Sequence, residues 1–146
     1  MRKTFVCCLP VLMALTALAA ELPRLAPEDA RGETILVRGR VLDGESRAVV
    51  GVEVFAYHAD HQGRYHEEAY RGTVRTDGDG GYAFETSRPG GYGPAPHIHF
   101  RVSAAGFRDA APTFRLKDET VPRRKVEYLG QQVEEFTYDI RLKRQD

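Results

Sequence analysis

Apolar and polar residues change over in short runs along most of this chain, with turn residues between the runs. That pattern is the signature of strands rather than helices. Residues 34–42 (TILVRGRVL) alternate well enough for a first strand, closed by Asp43, Gly44 and Glu45. Residues 49–57 (VVGVEVFAY) predict a second, rich in β-branched and aromatic side chains. A long polar loop over 58–72 contains Gly63, Arg64 and Tyr65. Residues 73–76 and 82–86 flank Asp77-Gly78-Asp79-Gly80-Gly81, the strongest hairpin signal in the chain. Residues 96–103 predict a further strand, and 133–142 (VEEFTYDIRL) a last one. No long stretch of helical period follows the first twenty residues, although 65–71 has room for one turn. The expectation is an all-β fold, a single β-sandwich of roughly seven strands over residues 34–146.

The first twenty residues have another character. Arg2 and Lys3 precede an apolar run over 5–18, and Ala17-Leu18-Ala19 is a small-residue cleavage pattern. Residues 1–20 therefore predict a secretory signal peptide, too short and wrongly flanked for a membrane span. Cleavage would leave about 126 residues, enough for one domain and one core. Residues 21–33, with Pro23, Pro27 and several charges, predict a loosely held polar leader. Both cysteines, Cys7 and Cys8, fall in the signal, so any metal site must use nitrogen and oxygen donors. The chain reads as an exported protein, periplasmic or secreted, with no membrane association after cleavage.

Charge is balanced at 21 basic and 21 acidic residues. Without Arg2 and Lys3 the count is 19 against 21. No basic field points to nucleic acid and no acidic tail to disorder. The short run Arg123-Arg124-Lys125 reads as a solvated loop. Oligomeric state is left open.

The candidate chemistry lies in Gly90-Gly91-Tyr92-Gly93-Pro94-Ala95-Pro96-His97-Ile98-His99-Phe100. On a strand, His97 and His99 point to the same face, so both imidazoles can reach one point. A His-x-His pair offers a transition metal two ligands at little conformational cost, and Tyr92 is a possible third donor. His58, His61 and His66 suggest zinc by their spacing, but in a polar loop they read as solvated. Asp77 to Gly81 resembles part of a calcium loop, yet Arg88 stands where an EF-hand needs its last glutamate, so a plain turn is expected.

Taken in order, the motifs resemble one family. Tyr57-His-Ala-Asp-His-Gln-Gly-Arg-Tyr65, then Arg75 to Phe84, then Pro89-Gly-Gly-Tyr92 and His97-Ile-His-Phe100 resemble the intradiol ring-cleavage dioxygenases, the catechol and protocatechuate dioxygenase family. The resemblance covers about residues 37–107. It implies a β-sandwich holding a mononuclear non-haem Fe(III) ion inside it, with Tyr65, Tyr92, His97 and His99 as ligands. It also implies an aromatic diol of the catechol type and O2 as substrates, a muconate-type diacid as product, and Tyr92 as the ligand that leaves to act as internal base. Anionic tyrosinate oxygens favour the ferric ion, since the harder and more highly charged ion gains more from them.

This sequence departs from that family in three places. Pro94 stands where members usually carry an arginine that stabilises charge on the substrate; Arg88 and Arg101 are the candidates to replace it. The loop from Tyr92 to His97 is shorter, and Tyr57 stands where tryptophan is common. The helical dimerisation region that precedes the core in the catechol enzymes is not expected from this sequence. Two other readings therefore stay open. The strand segments also resemble transthyretin-like binding modules without metal, which give no reason for the four donors together. A degenerate dioxygenase that binds iron without cleaving rings is the other.

Overall fold

A computed structural model describes residues 20–146. The signal-peptide expectation falls on residues 1–20, almost all of it outside the described residues. Among the described residues nine strands follow one another: β1 (Thr34–Leu42), β2 (Glu53–Tyr57), β3 (Arg71–Arg75), β4 (Gly81–Ser87), β5 (His97–Ser103), β6 (Thr113–Arg115), β7 (Arg123–Tyr128), β8 (Gln131–Thr137) and β9 (Ile140–Arg141). They build two sheets. One has the order β4-β1-β8-β7, with β9 paired to the far end of β1; the other has the order β3-β2-β5-β6.

The sandwich and its strand alternation are as expected, and the boundaries differ for physical reasons. β2 starts at Glu53 rather than 49 because Gly51 takes a left-handed backbone, φ 70°. There the chain turns away, and Gly51 N–H donates to the Thr76 carbonyl. The last predicted strand is two strands. Tyr138 N–H donates to the Arg38 carbonyl and the Asp139 carboxylate accepts from Arg40 N–H, so the chain steps sideways along β1 between β8 and β9. Residues 123–125, read as a solvated loop, begin the edge strand β7, which runs antiparallel to β8. Their charged side chains are exposed on that edge, which discourages further strand pairing.

The leader is also corrected. Residues 22–26 are clasped to the domain rather than loose. Leu25 and Ala26 are buried, Leu25 N–H donates to the Glu85 carbonyl, and Tyr70 N–H donates to the Leu25 carbonyl. Arg24 closes the clasp with an ion pair to Glu85 at 2.8 Å.

The inner faces meet in a core of Ile35, Val37, Val41, Val54, Phe84, Ile98, Phe100, Phe114, Phe136, Ile140 and Leu142. Each such burial contributes about 1.5–3 kcal/mol before conformational entropy is subtracted. On β5 the alternation is strict: Ile98, Phe100 and Val102 enter the core. His97, His99, Arg101 and Ser103 must then share the opposite face. The two histidines therefore lie on the outer face of the four-stranded sheet, not inside the sandwich as expected. Loops, rather than the second sheet, have to cover them.

Candidate metal centre

Two loops supply the covering. The β2–β3 loop (58–70) carries Tyr65, and the β4–β5 loop (88–96) carries Tyr92. They are tied together at Asp60. Its carbonyl accepts from Gly90 N–H at 2.8 Å and from Gly63 N–H at 3.0 Å, so one oxygen holds both loops. The Asp60 side chain, 3% exposed, takes Gln62 N–H, Arg64 N–H, the Arg64 guanidinium and His66 Nε2. Burial alone would raise its carboxyl pKa; these bonds overcome that and hold it well below the ordinary value. The loops touch so closely that both glycines are required. A Cβ at Gly90 would sit 2.2 Å from the His61 carbonyl oxygen, and one at Gly63 2.6 Å from that of Gly91.

The result is a cluster of four donor atoms. His97 Nε2 lies 3.0 Å from His99 Nε2, 3.3 Å from Tyr65 Oη and 3.4 Å from Tyr92 Oη, and the two phenol oxygens are 3.3 Å apart. All four residues expected from the motif are thus brought together. His97 Nδ1 donates to the Ala95 carbonyl at 2.8 Å, which leaves the Nε2 lone pair facing the cluster. His99 Nδ1 meets Thr113 Oγ1 at 3.3 Å. Burial, followed by the charge of His97, pushes the His99 pKa down and favours its neutral form.

The donor set suits a single cation. Separations of 3.0–3.4 Å are those of ligands about 2 Å from a shared ion. Two imidazole nitrogens 3.0 Å apart also cannot both present bare lone pairs to each other; a proton or cation must lie between them. Burial, then the Tyr92 hydroxyl, raises the Tyr65 pKa far above that of a free phenol. A cation at the cluster would reverse that direction and hold phenolate oxygen there.

Around the cluster the surface is open. Tyr65 is 42% and Tyr92 48% exposed. The Tyr57 ring stacks on His99 with centroids 4.8 Å and planes 21° apart, an aromatic stack beside the donors. The two candidate arginines part company. Arg101 follows His99 on the same face, its guanidinium 5.2 Å from the Tyr57 centroid. Arg88 points away: it pairs with Glu33 and Glu134 and covers the Phe136 ring of the other sheet, so it does not replace the missing arginine.

The loop histidines go three ways. His58 is 1% exposed, bonded to the Ala59 carbonyl and Thr86 Oγ1, and burial pushes its pKa down to about 4. His66 sits on Asp60, while His61 is half-buried against Gly32. Among the described residues no three His, Cys, Asp or Glu side chains come together as a metal cluster. Asp77 accepts from the backbone N–H groups of Asp79 and Gly81, the plain turn expected. Sequence reasoning missed Asp60, Thr113 and the Ala95 carbonyl. Asp60 did carry a signal, an aspartate opening the turn before Gly63.

Known proteins share this arrangement of strands. The dioxygenase family model matches residues 9–122, well over half of the chain. Catechol 1,2-dioxygenase 2 of Acinetobacter lwoffii is 33% identical over 103 aligned positions, which cover 53% of this chain and 38% of that protein. Hydroxyquinol 1,2-dioxygenase of a Rhizobium species is 30% identical, covering 54% and 36%. The chain thus spans less than two fifths of the length of these curated relatives. Among solved structures, wild-type catechol 1,2-dioxygenase of Acinetobacter radioresistens superposes with a TM-score of 0.74 at 20% identity, over 89% of this chain and 60% of that one. The dioxygenase domain of a carbohydrate-binding fusion protein from Streptomyces sp. SirexAA-E gives 0.70 at 24%, over 86% and 91%. At those identities the structural likeness is one of fold. The sequence match itself settles the family: this chain belongs to the intradiol dioxygenases.

Proposed function

We propose that this protein is an exported, iron-dependent intradiol dioxygenase that opens the ring of an aromatic diol of the catechol type. The observation that carries the reading is the meeting of Tyr65, Tyr92, His97 and His99 with His97 Nε2 within 3.4 Å of the other three donor atoms. Two neutral imidazoles and two phenolates are the donor set for a ferric ion, which would supply the Lewis acidity that activates the diol toward O2. Overall, both atoms of O2 enter the product, and the bond between the two hydroxyl-bearing carbons becomes two carboxyl groups.

The chain's own residues have separable tasks. Tyr65 rides on the loop fixed by Asp60 and stays as a permanent anchor. Tyr92 is the more exposed phenol, and its loop closes on itself only through a 3.3 Å bond from its own N–H to the Pro94 carbonyl. Tyr92 Oη is the group placed to take a proton from the incoming diol. The Tyr57 ring, stacked on His99, fixes the plane of that imidazole beside the substrate position. Arg101 is the arginine next along that face and the remaining candidate to stabilise negative charge on the bound ring.

Metal analysis and visible absorption of the wild type beside Tyr92→Phe and His99→Ala test the reading. Tyrosinate-to-ferric charge transfer should colour the iron-loaded protein red-brown, and each substitution should weaken iron retention or shift the band. Unchanged metal content and spectra would refute the ligand assignment. Pro94 and the diversion of Arg88 support a second reading, an iron-binding relative without turnover. A coloured protein that consumes no oxygen with a panel of catechols would establish it.

A further inference from the structure

The outer face of the four-stranded sheet continues beyond the donors as a regular grid. Tyr57 stands opposite His99 on one side and Arg71 on the other. One step along, Phe55 stands between Arg101 and Thr73; one step further, Glu53 stands between Ser103 and Arg75. Phe55 and Tyr57 stack at 5.6 Å, so the row of stacked rings runs on from His99. An open groove of about 410 Å³ lies over the later steps, lined among others by Phe55, Thr73, Arg101, Ser103 and Asp109.

The charges on this face are unevenly satisfied. Arg75 is held by Glu53 and by the Gly51 carbonyl, and Arg64 by Asp60. Arg71 and Arg101 make no ion pair and no side-chain hydrogen bond with any described residue. Both are instead laid against the Tyr57 ring, their guanidinium carbons 5.7 and 5.2 Å from its centroid. Two uncompensated cations are thus held by ring contacts one side chain away from the metal ligands. Further along the groove the sign reverses at Asp109, whereas Glu53 is paired with Arg75. An anion is favoured beside Tyr57 and disfavoured beyond it.

We infer that the diol taken by this site carries a carboxylate on a short arm, read by Arg71 and Arg101 across Tyr57. The inference rests on the donor cluster being the site that binds the diol. A planar guanidinium matches a carboxylate through paired N–H bonds, and the flanking ring keeps part of the surrounding water away. A neutral substituent gains nothing from either arginine, and a long acidic arm would run toward Asp109.

The test compares 3,4-dihydroxyphenylacetate with its methyl ester, bound without oxygen to the iron-loaded protein and followed by calorimetry and by the visible band. The acid should bind about tenfold or more tightly than the ester, a preference that falls with added salt. In Arg71→Gln the preference should shrink severalfold while the ester still binds, which reports an intact site. Equal binding of acid and ester by the wild type, or an unchanged preference in Arg71→Gln, would overturn the inference. A protein that takes up no iron would instead refute the donor reading. The arginine pair is then read on the metal-free protein by titrating phenylacetate against phenylacetamide and following the backbone amides of Arg71, Tyr57 and Arg101. A selective response to the acid supports the pair; an equal response to both overturns it.

Discussion

The Gly90 N–H and the Asp60 carbonyl meet at 2.8 Å, and this bond joins the two loops that carry the tyrosines. The strand histidines are placed by the sheet, whereas each phenol is placed only by its loop. The geometry of the donor cluster therefore depends on a contact that involves none of the four donors.

Gly90→Ala should break the cluster without touching a ligand. The new methyl would stand 2.2 Å from the His61 carbonyl, against backbone that cannot swing aside. We expect a loss of about 1–3 kcal/mol in chemical denaturation. Iron retention should fall further than this stability loss accounts for. A variant with wild-type metal content and midpoint would show that the loops can separate freely.

Asp60 makes the loops acid-sensitive. Its folded pKa lies below the ordinary aspartate value of 3.8, so the unfolded chain binds the proton more readily. Its stabilisation is complete above that ordinary value and is lost as pH falls through it toward the folded value. Denaturation midpoints of the wild type should fall steeply from about pH 5 downward. Asp60→Asn should be less stable at pH 7 and show a flatter acid limb; parallel curves would contradict this account.

His58 works in a higher window. The unfolded ring titrates at 6.5 and the buried ring at about 4, so the folded state holds it neutral. Stability from this group is full above 6.5, declines as pH drops between 6.5 and 4, and is gone below. The whole effect is on the order of 3 kcal/mol. His58→Gln can keep a partner for Thr86 Oγ1 while abolishing the titration. It should flatten the stability profile in that window, which denaturant melts at several pH values would read.

Metal uptake should release protons. The Tyr65 phenol is raised by burial and then by Tyr92, so a cation must displace its proton to bind the oxygen. Affinity should rise with pH, and unbuffered titration should register acid on loading. Tyr65→Phe should release fewer protons per ion bound. Equal release by wild type and variant would remove Tyr65 from the ligand set.

Much of the site is legible in the sequence. His97 and His99 share a face because β-strands repeat every two residues, and Ile98, Phe100 and Val102 announce the opposite face as core. The motif order supplied Tyr65 and Tyr92. What could not be read was the fate of groups whose partners lie far away in sequence. Arg88 and Arg101 both sit close to the histidine motif in sequence. Only the folded chain reveals that Glu33 and Glu134 claim one of them and Tyr57 the other.

The all-β architecture, the strand periods and the types of donor follow from the residues alone, because alternation and turn residues act over a few neighbouring positions. The tertiary structure decided the rest. It turned the histidines to the outer face of their sheet, clasped residues 22–26 through Leu25 and Arg24, made residues 123–125 an edge strand, and closed the tyrosine loops over Asp60. The reason is one of range. A local pattern states which face a side chain takes relative to its neighbours, but which face is covered, and by what, depends on pairings between segments tens of residues apart.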